Sequence, residues 1–268
     1  MSTGEFESII TPDGHKRILN LTPSDEGKVR MFAGPVGDVI PRSKLQAFDA
    51  WPEEVGTKDQ DGRGACNGHA AASSAEFSRA IQGLGYVPLS AWWVYGSLVK
   101  GWDRGSNIMD ALLLCRQGVA PESTVKYGDF SGRYSDEASA ASKRFRIEIG
   151  SAVGQDFDAI CSEVAKRRAL NLAVRATAGW SSGNLDADGC PPEPAFGPCN
   201  HAVMVGGGLK KLANGEWAVR MLNSWGTRWG LNGFCWLRRG HIEKTSWFEA
   251  YSIRAVNEDP QDAAPPAR

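Results

Sequence analysis

Residues 216–238 read EWAVRMLNSWGTRWGLNGFCWLR. EWAVRML (216–222) and GFCWLR (233–238) are short runs rich in β-formers, so two strands flank a glycine-punctuated loop. Trp217, Val219, Met221 and Asn223 share parity, which puts the carboxamide of Asn223 at the end of an otherwise apolar strand face. Upstream, Asn214-Gly215 is a hairpin signal that joins this strand to HAVMV (201–205). LAVRA (172–176) and YSIRAV (251–256) extend the same pattern. From Asn171 onward the chain therefore reads as a β unit, with His201 opening one strand and Asn223 closing a neighbouring one.

The segment before it is helical. Residues 59–82, DQDGRGACNGHAAASSAEFSRAIQ, place Cys66 where a glycine-broken loop enters a helix whose Ala70, Phe77 and Ile81 lie near one face. Gly83 is its stop signal. Ile108, Ala111, Leu112 and Cys115 follow the i, i+3, i+4, i+7 spacing of a second helix that Gly118 ends. Phe157, Ile160, Cys161, Val164 and Ala165 form the stripe of a third, so Cys115 and Cys161 read as core thiols. Residues 1–45 read as polar and irregular, broken by Pro12, Pro23, Pro35 and Pro41. Residues 257–268 read as an extended Pro/Ala-rich tail.

The chain has 268 residues, 42% of them apolar, enough for one large domain or two lobes around a cleft. Thirty Lys and Arg against 31 Asp and Glu leave a net charge of −1 without a basic block, which argues against nucleic acid as a partner. The start MSTGEFESII lacks a basic region followed by an apolar run, and no stretch approaches the roughly 20 apolar residues of a membrane helix. These features predict a cytoplasmic protein that engages no membrane. Six cysteines are too few and too scattered for a disulfide scaffold; Cys190 and Cys199 are the one pair placed to bridge.

A cysteine at a helix N-terminus meets unpaired N–H groups and the positive end of the helix dipole, both of which favour the nucleophilic thiolate. His201 stands 135 residues beyond Cys66, and Asn223 could orient its imidazole. A thiol, an imidazole and an orienting amide suit nucleophilic acyl transfer. Packing cysteine and strand histidine are the bland rivals. His69, one helical turn beyond Cys66, is the alternative base, or else a filler of space against the loop. Cys190, Cys199 and His201 lack a fourth metal ligand, and Gly206–Gly208 lack the lysine and serine of a phosphate loop, so no metal or cofactor is expected.

Three segments resemble the papain-like cysteine peptidases: DQDGRGAC (59–66), NHAVMVGGG (200–208) and NSWGTRWGLNGFCWLRRG (223–240). The spacing of Cys66 to His201 and Asn223 matches the pattern stated for that family, about 130–150 residues. The resemblance spans residues 41 to 256 and implies an α+β fold, with a helical lobe (about 46–155) and a twisted antiparallel β lobe (about 156–256) flanking a cleft. It implies peptide or protein substrates, and thiol-dependent hydrolysis by Cys66, His201 and Asn223. Gln60, six residues before Cys66, and the Cys66 N–H would receive the oxyanion. Trp225 would shield the His201–Asn223 bond at the substrate cleft, and Gly105, in WDRGSNI, would pair with substrate backbone. Asn67 replaces the family's aromatic after the nucleophile, which bears on packing there and on substrate preference; Arg63 replaces its bridging cysteine, which with the missing signal peptide suggests a divergent prokaryotic or viral member, virion-associated if viral. Residues 1–45 would be a short pro-segment. A structural or binding component with vestigial chemistry, and acyl transfer other than hydrolysis, are the competing functions. The oligomeric state is not legible.

Overall fold

The computed structural model describes residues 7–11, 13–30 and 38–256. Pro12, Pro35 and the expected tail at 257–268 lie outside the described residues. In chain order the elements are β1 (Glu7–Ile10), β2 (Lys16–Leu19), α1 (Glu26–Arg30), β3 (Phe48–Asp49), α2 (Cys66–Ile81), α3 (Ala91–Val99), α4 (Ile108–Gln117) and α5 (Asp136–Ser142). They continue as β4 (Ile147–Ala152), α6 (Phe157–Ala165), β5 (Ala169–Val174), β6 (His201–Lys211), β7 (Trp217–Leu222), β8 (Phe234–Arg238), α7 (Arg239–Glu243) and β9 (Ala250–Ala255).

One antiparallel sheet runs β4-β9-β5-β6-β7-β8, with β3 added beside β6. Its core gathers Phe157, Ile160 and Val164 of α6 with Leu172, Val203, Val219 and Leu237 of the strands. A second core unites α2, α3 and α4 through Phe77, Val94, Met109 and Leu112. Two apolar cores give the expected two-lobed α+β architecture. Helix α2 lies between them, packed on α3 and α4 on one side and on β5, β6 and β9 on the other. Its small residues make that burial feasible: a Cβ on Gly68 would sit 2.9 Å from the Ala91 carbonyl oxygen.

Local signals account for most boundaries. Helix α4 starts where Asn107 Oδ1 accepts from the Asp110 N–H at 2.8 Å, and stops at Gly118. Helix α2 has no capping side chain on its N-cap, Ala65, so its first-turn N–H groups stay available to another acceptor. The Asn214-Gly215 turn joins β6 to β7, and the β6–β7 register shifts between Val205 and Leu209, so the glycine run forms a bulge.

Two expectations fail. Residues 1–45 are not irregular where described: β1 and β2 form an antiparallel hairpin, and Ile9, Arg17, Leu19 and Leu21 are buried. Ile9 and Leu19 join the core of the sheet lobe and Leu21 that of the helical lobe, so this leader spans both. No local periodicity announces it, because the surface that buries these residues lies more than a hundred residues away or in the other lobe. Cys190 and Cys199 do not bridge; all six thiols are free, and these two sit in separate apolar clusters. Cys115 and Cys161 are fully buried core residues, as read. Strand β4 and helix α3 had no clear sequence signature, and β4 joins the sheet through β9 although it precedes residue 156.

Candidate active site

Three segments converge where the lobes meet. Cys66 is the first residue of α2, His201 the first of β6, and Asn223 follows the last residue of β7. All three are buried. The backbone N–H of Ala202, next to His201, points at the Cys66 sulfur together with the N–H groups of Asn67, Asn20 and Cys66 itself. The structure therefore brings Cys66, the strand that opens with His201, and Asn223 together.

Hydrogen bonding decides the protonation of the imidazole. Asn223 Oδ1 accepts from the Ser224 N–H at 2.8 Å, which identifies that atom as the amide oxygen. His201 Nε2 lies 2.8 Å from the same oxygen, so Nε2 carries the proton and donates it. Nδ1 is then the unprotonated nitrogen, and among the described residues it has no hydrogen-bond partner. Trp225, 1% exposed, packs on the ring with centroids 4.9 Å apart. Its own Nε1 is buried without a partner among the described residues.

Gln60 is fully buried and its carboxamide is held at both ends. Oε1 accepts from Ser224 Oγ at 2.7 Å, while Nε2 donates to the Arg63 carbonyl at 2.7 Å and to the Ile18 carbonyl at 3.2 Å. Ser224 was not singled out in the sequence; its place after Asn223 lets its N–H fix the Asn223 amide and its hydroxyl fix Gln60. Gly105 is buried with φ +70°, and a Cβ there would collide with the Asn20 carbonyl oxygen.

The leader lies across this site. Ile18 occupies the Gln60 donor, the Asn20 N–H faces the sulfur, and the Leu21 N–H donates to the Asn200 carbonyl at 3.1 Å. The Thr22 N–H donates to the Ser106 carbonyl at 3.3 Å, and Ser24 donates through its N–H and hydroxyl to the Glu249 carboxylate at 2.6 and 2.5 Å. Arg17, fully buried, pairs with Asp59 and Asp13 and donates to the Asp61 and Trp225 carbonyls at 3.1 and 3.3 Å.

This cover reverses one expectation. Burial pushes the Cys66 thiol up to about 11, outweighing the N–H groups aimed at it, and pushes His201 down to about 4 despite Asn223. With the leader in place the pair is neutral, a thiol beside an unprotonated imidazole, because water is excluded from both.

The remaining histidines are placed otherwise. His15 is exposed in the leader hairpin. His241 is buried and neutral: Nδ1 accepts from the Arg238 N–H and Nε2–H donates to the Pro191 carbonyl, both at 3.1 Å. His69 turns both nitrogens to the backbone carbonyls of Ala65 and Asp59, and burial pushes the ring down to about 4, which argues against the alternative-base reading. No cluster of three or more metal-ligating side chains occurs among the described residues. No helix there is long and apolar enough to cross a membrane.

Residues 47–253 match the model of the papain family cysteine proteases, and the chain belongs to that family. It is a cysteine peptidase, and its substrates are peptides or proteins. Its fold is similar to that of xylellain, a cysteine protease from Xylella fastidiosa, at 20% identity and TM-score 0.68 over 89% of this chain and 96% of that one. A digestive procathepsin L 3 from Tenebrio molitor larval midgut aligns at 20% identity and TM-score 0.59, covering 88% and 83%. The bromelain protease from Ananas comosus, in complex with the E64 inhibitor, aligns at 21% identity and TM-score 0.57, covering 80% and 100%. No curated protein matches the sequence significantly.

Proposed function

We propose that peptide hydrolysis runs through Cys66, His201 and Asn223 by way of a thioester acyl-enzyme. The orientation of His201 carries this reading: Asn223 holds the proton on Nε2, so Nδ1 is the base available to the nucleophile. The Cys66 sulfur bonds to the scissile carbonyl carbon while its proton passes to His201. The C–N bond then breaks, and His201 gives that proton to the departing amine. Water, deprotonated by His201, releases the acid and restores the thiol. Gln60 Nε2 and the Cys66 N–H receive the negative oxygen, at about 3 kcal/mol per donor. Gly105 pairs with substrate backbone, and Trp225 protects the orienting bond at the edge of the cleft.

The same observations support an inhibitory role for residues 1–45, ahead of a peptidase domain at 46–256 and a tail at 257–268. An Ile18 carbonyl takes the donor meant for the oxyanion, and an amide N–H, not a carbonyl carbon, faces the sulfur. A segment held that way blocks the site without presenting a bond to cut. Six free thiols support a reducing, cytoplasmic setting. The test is turnover of an unfolded protein by wild-type and Cys66→Ala chains, before and after mild acid treatment. Turnover confined to the wild type supports the reading. Equal turnover by both, or none from either, favours a structural component with vestigial chemistry.

A further inference from the structure

The two oxyanion donors come from different pieces of chain. One is the Gln60 side chain in the loop, the other the Cys66 N–H at the start of α2. The His69 side chain touches both pieces. His69, in the first turns of α2, places Nδ1 2.9 Å from the Ala65 carbonyl oxygen and Nε2 3.1 Å from the Asp59 carbonyl oxygen. The Ala65 oxygen belongs to the peptide group that carries the Cys66 N–H. The Asp59 oxygen belongs to the peptide group that carries the Gln60 N–H. The imidazole thus lies between the two peptide units from which the oxyanion donors spring, and its single N–H donates to one of the two carbonyls at a time.

We propose that His69 is a positioning residue for the oxyanion site, holding the Gln60 loop against the first turn of the Cys66 helix and setting the separation of the two donors. This rests on the reading of Gln60 and the Cys66 N–H as oxyanion donors. Two physical effects act together. A ring wedged between the segments, 2% exposed and with the Trp92 ring edge-on at 5.0 Å, fixes the gap between them. In the Nδ1–H tautomer the ring donates to the Ala65 carbonyl, which makes the N–H of that peptide, the Cys66 amide, a stronger donor. Tyr127 packs on the loop side, its hydroxyl donating to the Asp61 carboxylate at 2.9 Å and lying 3.3 Å from the Asp59 carbonyl oxygen.

The surroundings suit a ring that stays in place and does no proton transfer. His69 lines a cavity of about 470 Å³ with Lys58, Asp59, Trp92, Glu122 and Tyr127. The Lys58 ammonium, paired with Glu76 and Glu122, opposes a charge on the imidazole, and the Asp59 carboxylate favours one. Burial dominates and pushes the ring down to about 4, so at neutral pH it carries one N–H and serves either carbonyl by tautomer.

The test compares two reagents on the intact chain. A peptide aldehyde adds to the thiol and places its oxygen in the oxyanion site; iodoacetamide alkylates the thiol without using that site. Both responses scale with the fraction of time the leader is off the cleft, so their ratio reports the oxyanion site alone. His69→Phe keeps an aromatic ring against Trp92 and removes the N–H donor that serves the two carbonyls. It should weaken aldehyde affinity about tenfold relative to alkylation. Gln60→Ala should do the same, and His69→Gln, which restores an N–H donor, should recover most of the loss. Should His69→Phe not fold, His69→Met removes the donors with a flexible side chain and is held to the same result. An unchanged ratio in the His69 variants beside a reduced one in Gln60→Ala overturns this inference alone. An unchanged ratio in Gln60→Ala overturns the oxyanion reading and the inference with it. Equal losses in both reagents show that His69 acts on the thiol or the leader, and also overturn it.

Discussion

Arg17→Met should open the cleft of an otherwise intact protein. The guanidinium is fully buried and every partner outside the leader lies on the site's own loops: the Asp59 carboxylate and the Asp61 and Trp225 carbonyls. Asp13 travels with Arg17 on the leader, so that pair survives opening and contributes little to closure. Removing one member of a buried ion pair costs about 3–5 kcal/mol, because the other charge stays desolvated. Asp59 keeps 29% of its side chain exposed, which places this case at the lower end, about 3 kcal/mol. That energy falls on the closed form, since water reaches Asp59 once the leader lifts. At about 1.4 kcal/mol per decade the open fraction rises about a hundredfold. Ile9, Leu19 and Leu21 remain as apolar anchors worth about 2 kcal/mol each, so closure weakens without being abolished. The assay is the second-order rate of Cys66 alkylation at pH 7, read by peptide mapping, with thermal unfolding as the control. An unchanged rate in a folded Arg17→Met chain would refute the claim that this ion pair latches the leader.

Asn223→Ala should leave the fold intact and lower kcat by about a hundredfold or more, since the imidazole loses the bond that fixes its proton on Nε2; an unchanged kcat in the folded variant counts against the assignment. Acid should loosen the protein in a defined window. His69, His201 and His241 are each buried neutral and pushed down to about 4 from an ordinary 6.5, so the unfolded chain takes up protons first. Stability is full above about 6.5 and falls as pH drops toward 4, by at most about 1.4 kcal/mol per pH unit per histidine. Thermal unfolding measured from pH 7 to 4 should show that decline, and a flat profile would contradict it.

Much of the site is legible in local sequence. A glycine-broken loop before an alanine-rich segment locates Cys66 at a helix start, and strand parity locates Asn223 on an apolar face, because both depend on backbone geometry over a few residues. His201 follows from its position at a strand opening, though its tautomer does not: that depends on the Ser224 N–H, which no spacing reveals. The leader is the larger omission. ESII and KRIL are too short to read as strands, and their buried residues find apolar partners in the cores of two lobes formed far along the chain. Burial pushes the Cys66 thiol up and His201 down, and it outweighs the N–H groups of the helix start, which local sequence alone does not show. Cys190 and Cys199 are neighbours in sequence only, since the PPEPAFGP segment carries them into different clusters.

The most direct measurement is brief iodoacetamide treatment of the intact chain near pH 5.5, followed by peptide mapping of all six thiols, in wild type and His201→Ala. Each of the other five thiols is pushed well above its ordinary value by burial, to about 12 where a figure applies. Cys66 alone gains an imidazolium partner whenever the leader lifts and water returns. The account predicts label on Cys66 only, and its near-complete loss in His201→Ala. Label spread evenly over several cysteines, or Cys66 labelling that ignores His201, would contradict it.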